Sequence, residues 1–586
     1  MHSPGPNGNS QADLYRPLRL PVVLVADSRL GGISSSIAAY ESLLVRGYDV
    51  QSVLLFRDEY YRNHEYLGDY FGQREIPLRP LPVPPAREAE GDRDGENMER
   101  YYEGVTRGDE VKSLLDEMAV KHQGRLDRLD SMRDRAHDLV WYPFTQHQGR
   151  TPRDIGVIDS AYDDQFQMYE STEDGPTTQP AFDGSASWWT QGLGHGNPDL
   201  ALAAAYAAGR YGHVMFAGNV HEPALQLAER LLQMLDNPRL RKVFYTDNGS
   251  TGMEVAVKMG LRAACVRYGW DAHHEDVHIL GLKGSYHGDT MGVMDCSEPS
   301  TFNRKVEWYR GRGVWLDFPQ VTMAQGVWQV RSDQGTEQFD SLSDIFDLQQ
   351  RLQSQTAAQY RSAIHRTIHE QTQQKGTKFG ALILEPIILG AGGMFFCDPL
   401  FQRCLVDVVR DDPSLFHRGD TTTTTHGSES WSGLPVIFDE VFTGLYRLGR
   451  SSAASFLDVH PDIVVNAKLL TGGLVPLCTT VASQEIFDAF SSTDKSDALL
   501  HGHSYTAHAV GCQVGVEALR RMALMDSNGH WAHAQHQWPS TPAVGDVWSL
   551  WSPTIVRQLS QADPVEGIFA LGTLLAISLR DVQGGG

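Results

Sequence analysis

Five short apolar runs, KVFYTD, HILGL, ALILEP, LPVIFDE and DIVVNA, recur between residues 242 and 467, each followed by a Gly- or Ser-bearing turn and a helical stretch. A run of strand length with no polar alternation reads as a strand buried on both faces. Parallel neighbours need a crossover that returns over the sheet, so strands alternating with helices indicate a mostly parallel sheet flanked by helices. The expected fold class is therefore α/β, for a region beginning near Leu139. A smaller unit opens the chain. VVLVAD reads as a strand, RLGGISSS as a turn into the helix IAAYESLLV, and VQSVLLF, after Gly47, as a second strand. That is one βαβ unit, too small to cover both faces of a sheet, and it reads as part of a larger domain.

Between these pieces, PLRPLPVPPAREAEGDRDGENMER reads as a linker, and Tyr101 to Asp138 as a solvated connecting helix. The resulting division is 1–75, 76–137 and 138–586. Asp411 to Gly433, with its threonine run, and Asn528 to Pro553 lack periodicity and read as surface insertions.

Composition narrows the function classes. The 586 residues are 41% hydrophobic and 21% charged, an ordinary globular balance that excludes wholesale disorder and a collagen-like or disulfide scaffold. No apolar run reaches the ~18 residues a membrane helix needs. Fifty basic against 73 acidic residues give a net charge of -23, which argues against a general nucleic-acid binder. Six cysteines form no CxxC pair, and Cys397 and Cys404 have no histidines nearby, so buried thiols in a reducing compartment are expected. His530, His533 and His536 would spread around a helix, and no metal is expected. The N-terminus has no apolar signal core; its two late arginines and Asp13 make a poor mitochondrial presequence.

Four motifs carry chemistry. The first βαβ unit has no G-x-x-x-x-G-K-[ST], so it binds no nucleotide by that loop. Asp247–Gly252, DNGSTG, lies where a strand turns into a helix; it serves either as a plain capped turn or as an anion cradle of backbone amides. GSYHGD, Gly284 to Asp289, offers an aromatic to stack on a flat ligand, with polar handles beside it. Asp439 and Glu440 end an apolar strand, where a carboxylate answers to a cation: an arginine, a metal or a protonated ring nitrogen. Lys468 follows another apolar strand; burial there lowers an amine's pKa and makes it nucleophilic toward carbonyls, although a lysine after a strand is commonly just solvated. In this order and at strand ends, the four match the needs of pyridoxal phosphate: phosphate, ring face, ring nitrogen and aldehyde.

Eight phrases then carry a resemblance: LVWYPFTQH, DGSASWWTQGLGHGNP, GHVMFAGNVHEPA, NGSTGMEVAVKM, GSYHGDTMG, FDEVFTGLYRLG, AKLLTGG and LLHGHSYTAH. From Asp138 to about Met522, and more faintly to Leu579, the chain resembles the diaminopelargonic acid aminotransferases of biotin synthesis, class III enzymes of the type I fold. PVVLVADSRLGGISSSIAAYESLLVRGYDVQSVLLF and NHEYLGDYF resemble the C-terminal third of a dethiobiotin synthetase, which is fused ahead of the aminotransferase in plants and fungi.

The resemblance implies that Lys468 holds pyridoxal 5′-phosphate and shuttles a proton, Asp439 pairs with the ring nitrogen, and Tyr286 stacks on the ring. Gly249 and Ser250 would bind the phosphate, with His503 and Ser504 reaching in from a second subunit of a homodimer. Trp188, Tyr286, Asp289, Arg447 and Gly502 would line the pocket for S-adenosylmethionine and 8-amino-7-oxononanoate. It further implies a smaller terminal domain, a mitochondrial address (cytoplasmic as the alternative), and loss of synthetase activity with the phosphate loop. Two departures stand out: Phe144 occupies a position often held by tyrosine, and no arginine can be assigned to the family's C-terminal arginine-proline element. A non-catalytic cofactor-binding chain and a different class III ω-aminotransferase remain the alternatives.

Overall fold

The computed structural model describes residues 3–5, 10–173, 175–271, 274–417, 430–539 and 547–580. The chain forms two compact units: Met1–Ser187 with Leu193–Ala205, and Trp188–Gly192 with Tyr206–Gly586.

In the first unit the expected βαβ is present. Strands Val22–Val25 and Val50–Phe56 are parallel, and helix Gly32–Val45 crosses between them. A third parallel strand, Leu78–Leu81, extends the sheet. Leu43 and Val53, with Leu67 and Phe71 from helix Asn63–Gly72, form a core with no exposed surface. The linker reading of 76–100 is thereby corrected, since it holds this strand and the start of a helix. Pro80 is tolerated because Leu78–Leu81 is an edge strand, where a missing N–H breaks no ladder. Helix Gly91–Arg107 begins with Asp92 and Asp94 in its first turn, where carboxylates meet the positive end of the helix dipole. Helix Asp109–Leu139 follows after the extended Gly108 and is mostly solvated, as expected, burying only Leu114 and Leu129.

The boundary at 138 also shifts. An antiparallel sheet of Val157–Tyr162, Gln165–Thr172 and Gly175–Phe182 lies in the first unit, and its Val157 and Tyr169 share a small core with Leu129 of the long helix.

The second unit is built on a seven-stranded sheet. Its strands are β1 (Leu240–Thr246), β2 (Val277–Leu282), β3 (Gly313–Leu316), β4 (Lys378–Leu384), β5 (Val436–Asp439), β6 (Ile463–Asn466) and β7 (Cys478–Ser483), in the order β1-β7-β6-β5-β4-β2-β3. The five apolar runs are β1, β2, β4, β5 and β6. β7 alone runs antiparallel, so the other six present their carboxyl ends along one edge. CTTVAS is too polar to read as a buried strand; its Thr480 hydroxyl is hidden because it donates to the Gly252 carbonyl, 2.9 Å away. Helix α1 (Gly249–Tyr268) packs Met253, Val255, Ala256 and Ala264 inward without residual exposure.

A second, antiparallel sheet of five strands joins Gln320–Ala324, Val327–Ser332 and Gly335–Phe339 to the C-terminal hairpin Val565–Leu571 and Leu574–Leu579. This hairpin belongs to the same compact unit as the large sheet.

Parts of both expected surface insertions, 418–429 and 540–546, lie outside the described residues. Within their described flanks Trp431, Trp538 and Trp548 are buried, and helix Ala532–Gln537, buried only at Ala534, forms where no periodicity was legible. Large indoles anchor these segments although their neighbours are polar. All six cysteines are buried and free. Among the described residues no helix is long and apolar enough to cross a membrane, and no group of three or more His, Cys, Asp or Glu is clustered as a metal requires.

Candidate active site

The carboxyl ends of the parallel strands deliver the candidate residues to one edge, where open α/β sheets bind ligands. β1 leads through Asn248 into α1. The Asn248 side chain caps that helix, accepting the Thr251 N–H at 2.9 Å, and leaves Gly249 and Ser250 in the first turn. The Ser250 hydroxyl oxygen accepts the Thr290 N–H at 2.9 Å and lies 2.9 Å from the Thr290 hydroxyl, tying α1 to the loop after β2.

Glycine is obligatory at two places here. A Cβ on Gly249 would stand 2.8 Å from Val441 Cγ1, and one on Gly288 2.3 Å from Ser250 Oγ. Gly288 also has φ +129°, a conformation side chains disfavour. Gly288→Ala is expected to destabilise the fold by ~1–3 kcal/mol, combining backbone strain with displacement of Ser250. A urea midpoint unchanged from wild type would refute this.

The loop after β2 supplies Tyr286, His287 and Asp289. Tyr286 is half-buried; its hydroxyl donates to Asp289 Oδ2 at 2.7 Å, and burial together with that carboxylate holds the phenol protonated, its pKa raised. The Tyr286 N–H donates to Glu385 Oε1 at 2.9 Å, and Gly390 N–H to Glu385 Oε2 at 2.8 Å. Glu385, just past β4, is deeply buried, and burial lifts its pKa to about 7 while the neighbouring His287 works against the rise.

β5 ends in the two carboxylates, and the structure separates their roles. Glu440 faces inward: it accepts the Ser452 hydroxyl at 2.6 Å and the N–H groups of Ala453 and Ala454 at 3.1 and 3.2 Å, fixing the turn at 452–456. Asp439 accepts His287 Nδ1 at 2.8 Å on Oδ2 and the Val441 N–H at 3.1 Å on Oδ1. Lys468 stands just beyond β6, at the start of a 3-10 turn, with φ +51°. Burial lowers its pKa, opposed by the charges of Asp439 and Glu385. No carboxylate lies within ion-pair distance of it among the described residues, and its Nζ sits 5.5 Å from the centre of the Phe442 ring.

Arg447 is almost fully buried. Its Nη2 donates to the carbonyls of Trp189 and Gln191 at 3.0 and 2.7 Å, its Nη1 to the Thr573 hydroxyl at 3.2 Å, and its Nε has no partner. Burial pulls its pKa down to about 10, for no carboxylate faces it among the described residues. The carbonyls it grips follow a left-handed turn, Ala186 to Trp189, whose four φ values are 47, 48, 60 and 68°. Such a turn in non-glycine residues costs ~1–2 kcal/mol each. It turns Trp189 edge-on to Phe442 at 5.1 Å and leaves Trp188 58% exposed.

Thus Gly249, Ser250, Tyr286, Asp289, Asp439, Lys468 and Arg447 stand on the loops along one edge of the sheet. Gly502, His503 and Ser504 do not join them by any hydrogen bond among the described residues. The His503 N–H instead donates to Thr506 Oγ1 at 3.0 Å, and its Nε2 is buried without a partner. Sequence reasoning assigned no role to Glu385, Thr290, Phe442 or Trp189, although the last three lie within phrases that carry the resemblance, and none to His287 beyond a polar handle.

With this geometry in view, comparison with known proteins is informative. The Aminotransferase class-III family profile matches residues 173–416 and 431–533. The chain is 65% identical, over 100% of its length and 77% of the relative's, to a bifunctional dethiobiotin synthetase/adenosylmethionine-8-amino-7-oxononanoate aminotransferase of Emericella nidulans. It is 39% identical to the Arabidopsis thaliana bifunctional dethiobiotin synthetase/7,8-diamino-pelargonic acid aminotransferase, named mitochondrial, over 99% of this chain and 66% of that one. Among solved structures, an adenosylmethionine-8-amino-7-oxononanoate aminotransferase from Methanocaldococcus jannaschii shares the fold, with a TM-score of 0.55 at 19% identity, covering 77% of this chain and 84% of that one. A PLP-bound amine transaminase from an uncultivated Pseudomonas species has a TM-score of 0.56 at 22% identity, covering 75% and 84%. The seven-stranded sheet and the carboxylate and lysine at its carboxyl edge therefore have a family to answer to, and the chain belongs to the class III aminotransferases, among the relatives of the fungal and plant bifunctional biotin-synthesis enzymes.

Proposed function

We propose that the chain is a pyridoxal 5′-phosphate enzyme of biotin biosynthesis, moving an amino group from S-adenosylmethionine to 8-amino-7-oxononanoate to give 7,8-diaminononanoate. The observation that carries this reading is a half-buried lysine without a carboxylate partner next to a buried carboxylate, at the sheet's carboxyl edge, in a chain so similar to the Emericella nidulans enzyme.

The residues fit that cofactor. Gly249 and Gly288 keep side chains away from the start of α1, and the buried His287 Nε2 and Arg447 Nε mark a polar interior with donors and acceptors to spare. When bound, pyridoxal phosphate supplies the electron sink for removing a proton next to nitrogen. Lys468 Nζ, its pKa lowered by burial, would anchor the cofactor and carry the proton at the substrate carbon. Asp439 would accept the hydrogen bond of the protonated ring nitrogen, and Tyr286 would stack on the ring. The first turn of α1, with the Gly249 N–H and the Ser250 hydroxyl, takes the phosphate, where unpaired amides and the helix dipole favour an anion. In a symmetric homodimer, His503 and Ser504 of the partner subunit complete that phosphate site, and Gly502 joins Trp188, Asp289 and Arg447 at the substrate. A shared site of this kind makes the dimer obligatory. The compartment we propose is the mitochondrion, supported by the plant relatives, which are named mitochondrial.

Arg447 shapes this pocket by clasping the turn that presents Trp188 and Trp189. Arg447→Leu should lower kcat/KM for 8-amino-7-oxononanoate ~10–100-fold, the scale of one or two charged hydrogen bonds. An unchanged value would remove Arg447 from the site.

The reading is tested by incubating the purified chain and cofactor with S-adenosylmethionine and 8-amino-7-oxononanoate beside a panel of ω-amines. Formation of 7,8-diaminononanoate is expected. An inert 8-amino-7-oxononanoate with a reactive ω-amine would replace this substrate assignment, and no amino transfer at all would leave a cofactor-binding chain.

A further inference from the structure

Asp439 is held by a side chain that plays no part in the scheme above. His287 is completely buried, its Nδ1 lies 2.8 Å from Asp439 Oδ2, and its Nε2 has no partner at all. Neither oxygen of Asp439 contacts a lysine or arginine among the described residues; the carboxylate's partners are this imidazole and one backbone N–H.

Tautomer logic fixes the role. Asp439 accepts, so Nδ1 must carry a proton whether the ring is neutral or charged. In the neutral ring the lone Nε2 is a bare acceptor, which costs less in a dry interior than an unsatisfied N–H. Burial disfavours a charged imidazole, but the Asp439 hydrogen bond and the charges of Asp439 and Glu385 outweigh it and raise the His287 pKa. In either state the Nδ1–H donor remains, and it fixes the carboxylate's rotation. His287 is itself fixed by its chain neighbours: the Tyr286 N–H is fastened to Glu385, and Gly288 is wedged against Ser250. One short loop therefore sets the ring-stacking tyrosine, the direction of the carboxylate and the first turn of α1.

Resting on the aminotransferase reading, we propose that His287 is a positioning residue: its Nδ1–H grips Asp439 Oδ2 so that the carboxylate stays aimed at the cofactor's ring nitrogen. Without that donor, Asp439 sits buried with a single backbone N–H. It is then free to rotate away, and the ring nitrogen loses its aligned partner.

The test compares His287→Leu, which removes the donor, with His287→Asn, which keeps an N–H near Nδ1, and His287→Gln, which moves it one methylene away. Apoprotein of each is titrated with pyridoxal 5′-phosphate and the visible band recorded; bleaching by S-adenosylmethionine and the melting temperature without cofactor are measured alongside. The Leu and Gln variants should bind cofactor ~10-fold or more weaker, the fold-change of one charge-assisted hydrogen bond, and the Asn variant should stay within a few-fold of wild type. Melting temperatures that fall alike in all three, with cofactor affinity falling alike as well, would make His287 merely a packing residue and overturn the proposal. Should the Leu variant fail to fold, the Asn–Gln difference decides. A wild-type chain that forms no band at all defeats the aminotransferase reading instead, so the two failures are distinguishable.

Discussion

Lys468→Ala is expected to abolish both the visible cofactor band and measurable amino transfer. Its amine serves twice in the proposed reaction, as the group that anchors the cofactor and as the base that moves the proton. Loss of a positioned proton-transfer group alone lowers rates ~10²–10⁴-fold. The environment explains why lysine and no other cation suits the position. Burial lowers the Lys468 pKa, so a fraction of the amine is free to attack a carbonyl, while Asp439 and Glu385 limit how far the shift goes. Lys468→Arg, which keeps a charge that never leaves, should be as inactive as the alanine variant. An alanine variant retaining a tenth of wild-type turnover would remove Lys468 from the chemistry.

The largest expected effect on folding lies away from the active site. Arg351 and Asp398 form a buried two-pronged pair, Nη1 to Oδ1 at 2.6 Å and Nη2 to Oδ2 at 2.8 Å. The Tyr360 hydroxyl donates to Oδ2 at 3.1 Å, the Leu400 N–H to Oδ1 at 3.1 Å, and Arg351 Nη1 also donates to the Ile345 carbonyl at 2.7 Å. Burial opposes the Arg351 charge, and Asp398 more than offsets it, so the guanidinium pKa is raised. Asp398→Ala strands that charge in the interior and should cost ~3–5 kcal/mol, the scale for breaking one side of a buried pair. Replacing both partners with apolar residues of similar volume should cost much less, because no charge is left behind. Urea unfolding of the two variants checks this; equal midpoints for the single and double replacements would show that the pair's charge is not what matters.

Five strands of the large sheet were legible as apolar runs because a strand buried on both faces needs no polar alternation. β7 was not, since it is polar in sequence and its Thr480 hydroxyl is buried by donating to a carbonyl far away in the chain, that of Gly252. Pro80 in an edge strand and the buried Trp431 were misread for a related reason: whether a proline lies on an edge, or an indole faces inward, is decided by neighbours the local sequence does not contain. The division between the two units was likewise misplaced, because the pairing of 157–182 with itself and the packing of Leu129 against Val157 and Tyr169 have no local signature.

The candidate site divides the same way. Residue types at strand ends singled out the turn Asp247–Gly252, Tyr286, the pair Asp439 and Glu440, and Lys468, for chemistry restricts which side chains can serve as anion cradle, stacking ring, carboxylate and amine. The tertiary structure gives Asp439 and Glu440 different partners, Glu440 going to Ser452, Ala453 and Ala454 and Asp439 to His287. It alone set Glu385 under Tyr286 and turned the Arg447 donors onto the Trp189 and Gln191 carbonyls. Sequence determines which groups are available because their chemistry is local; the partner each one meets is fixed by the tertiary fold, which brings together residues separated by as many as 286 positions, as with His221 and Ala507.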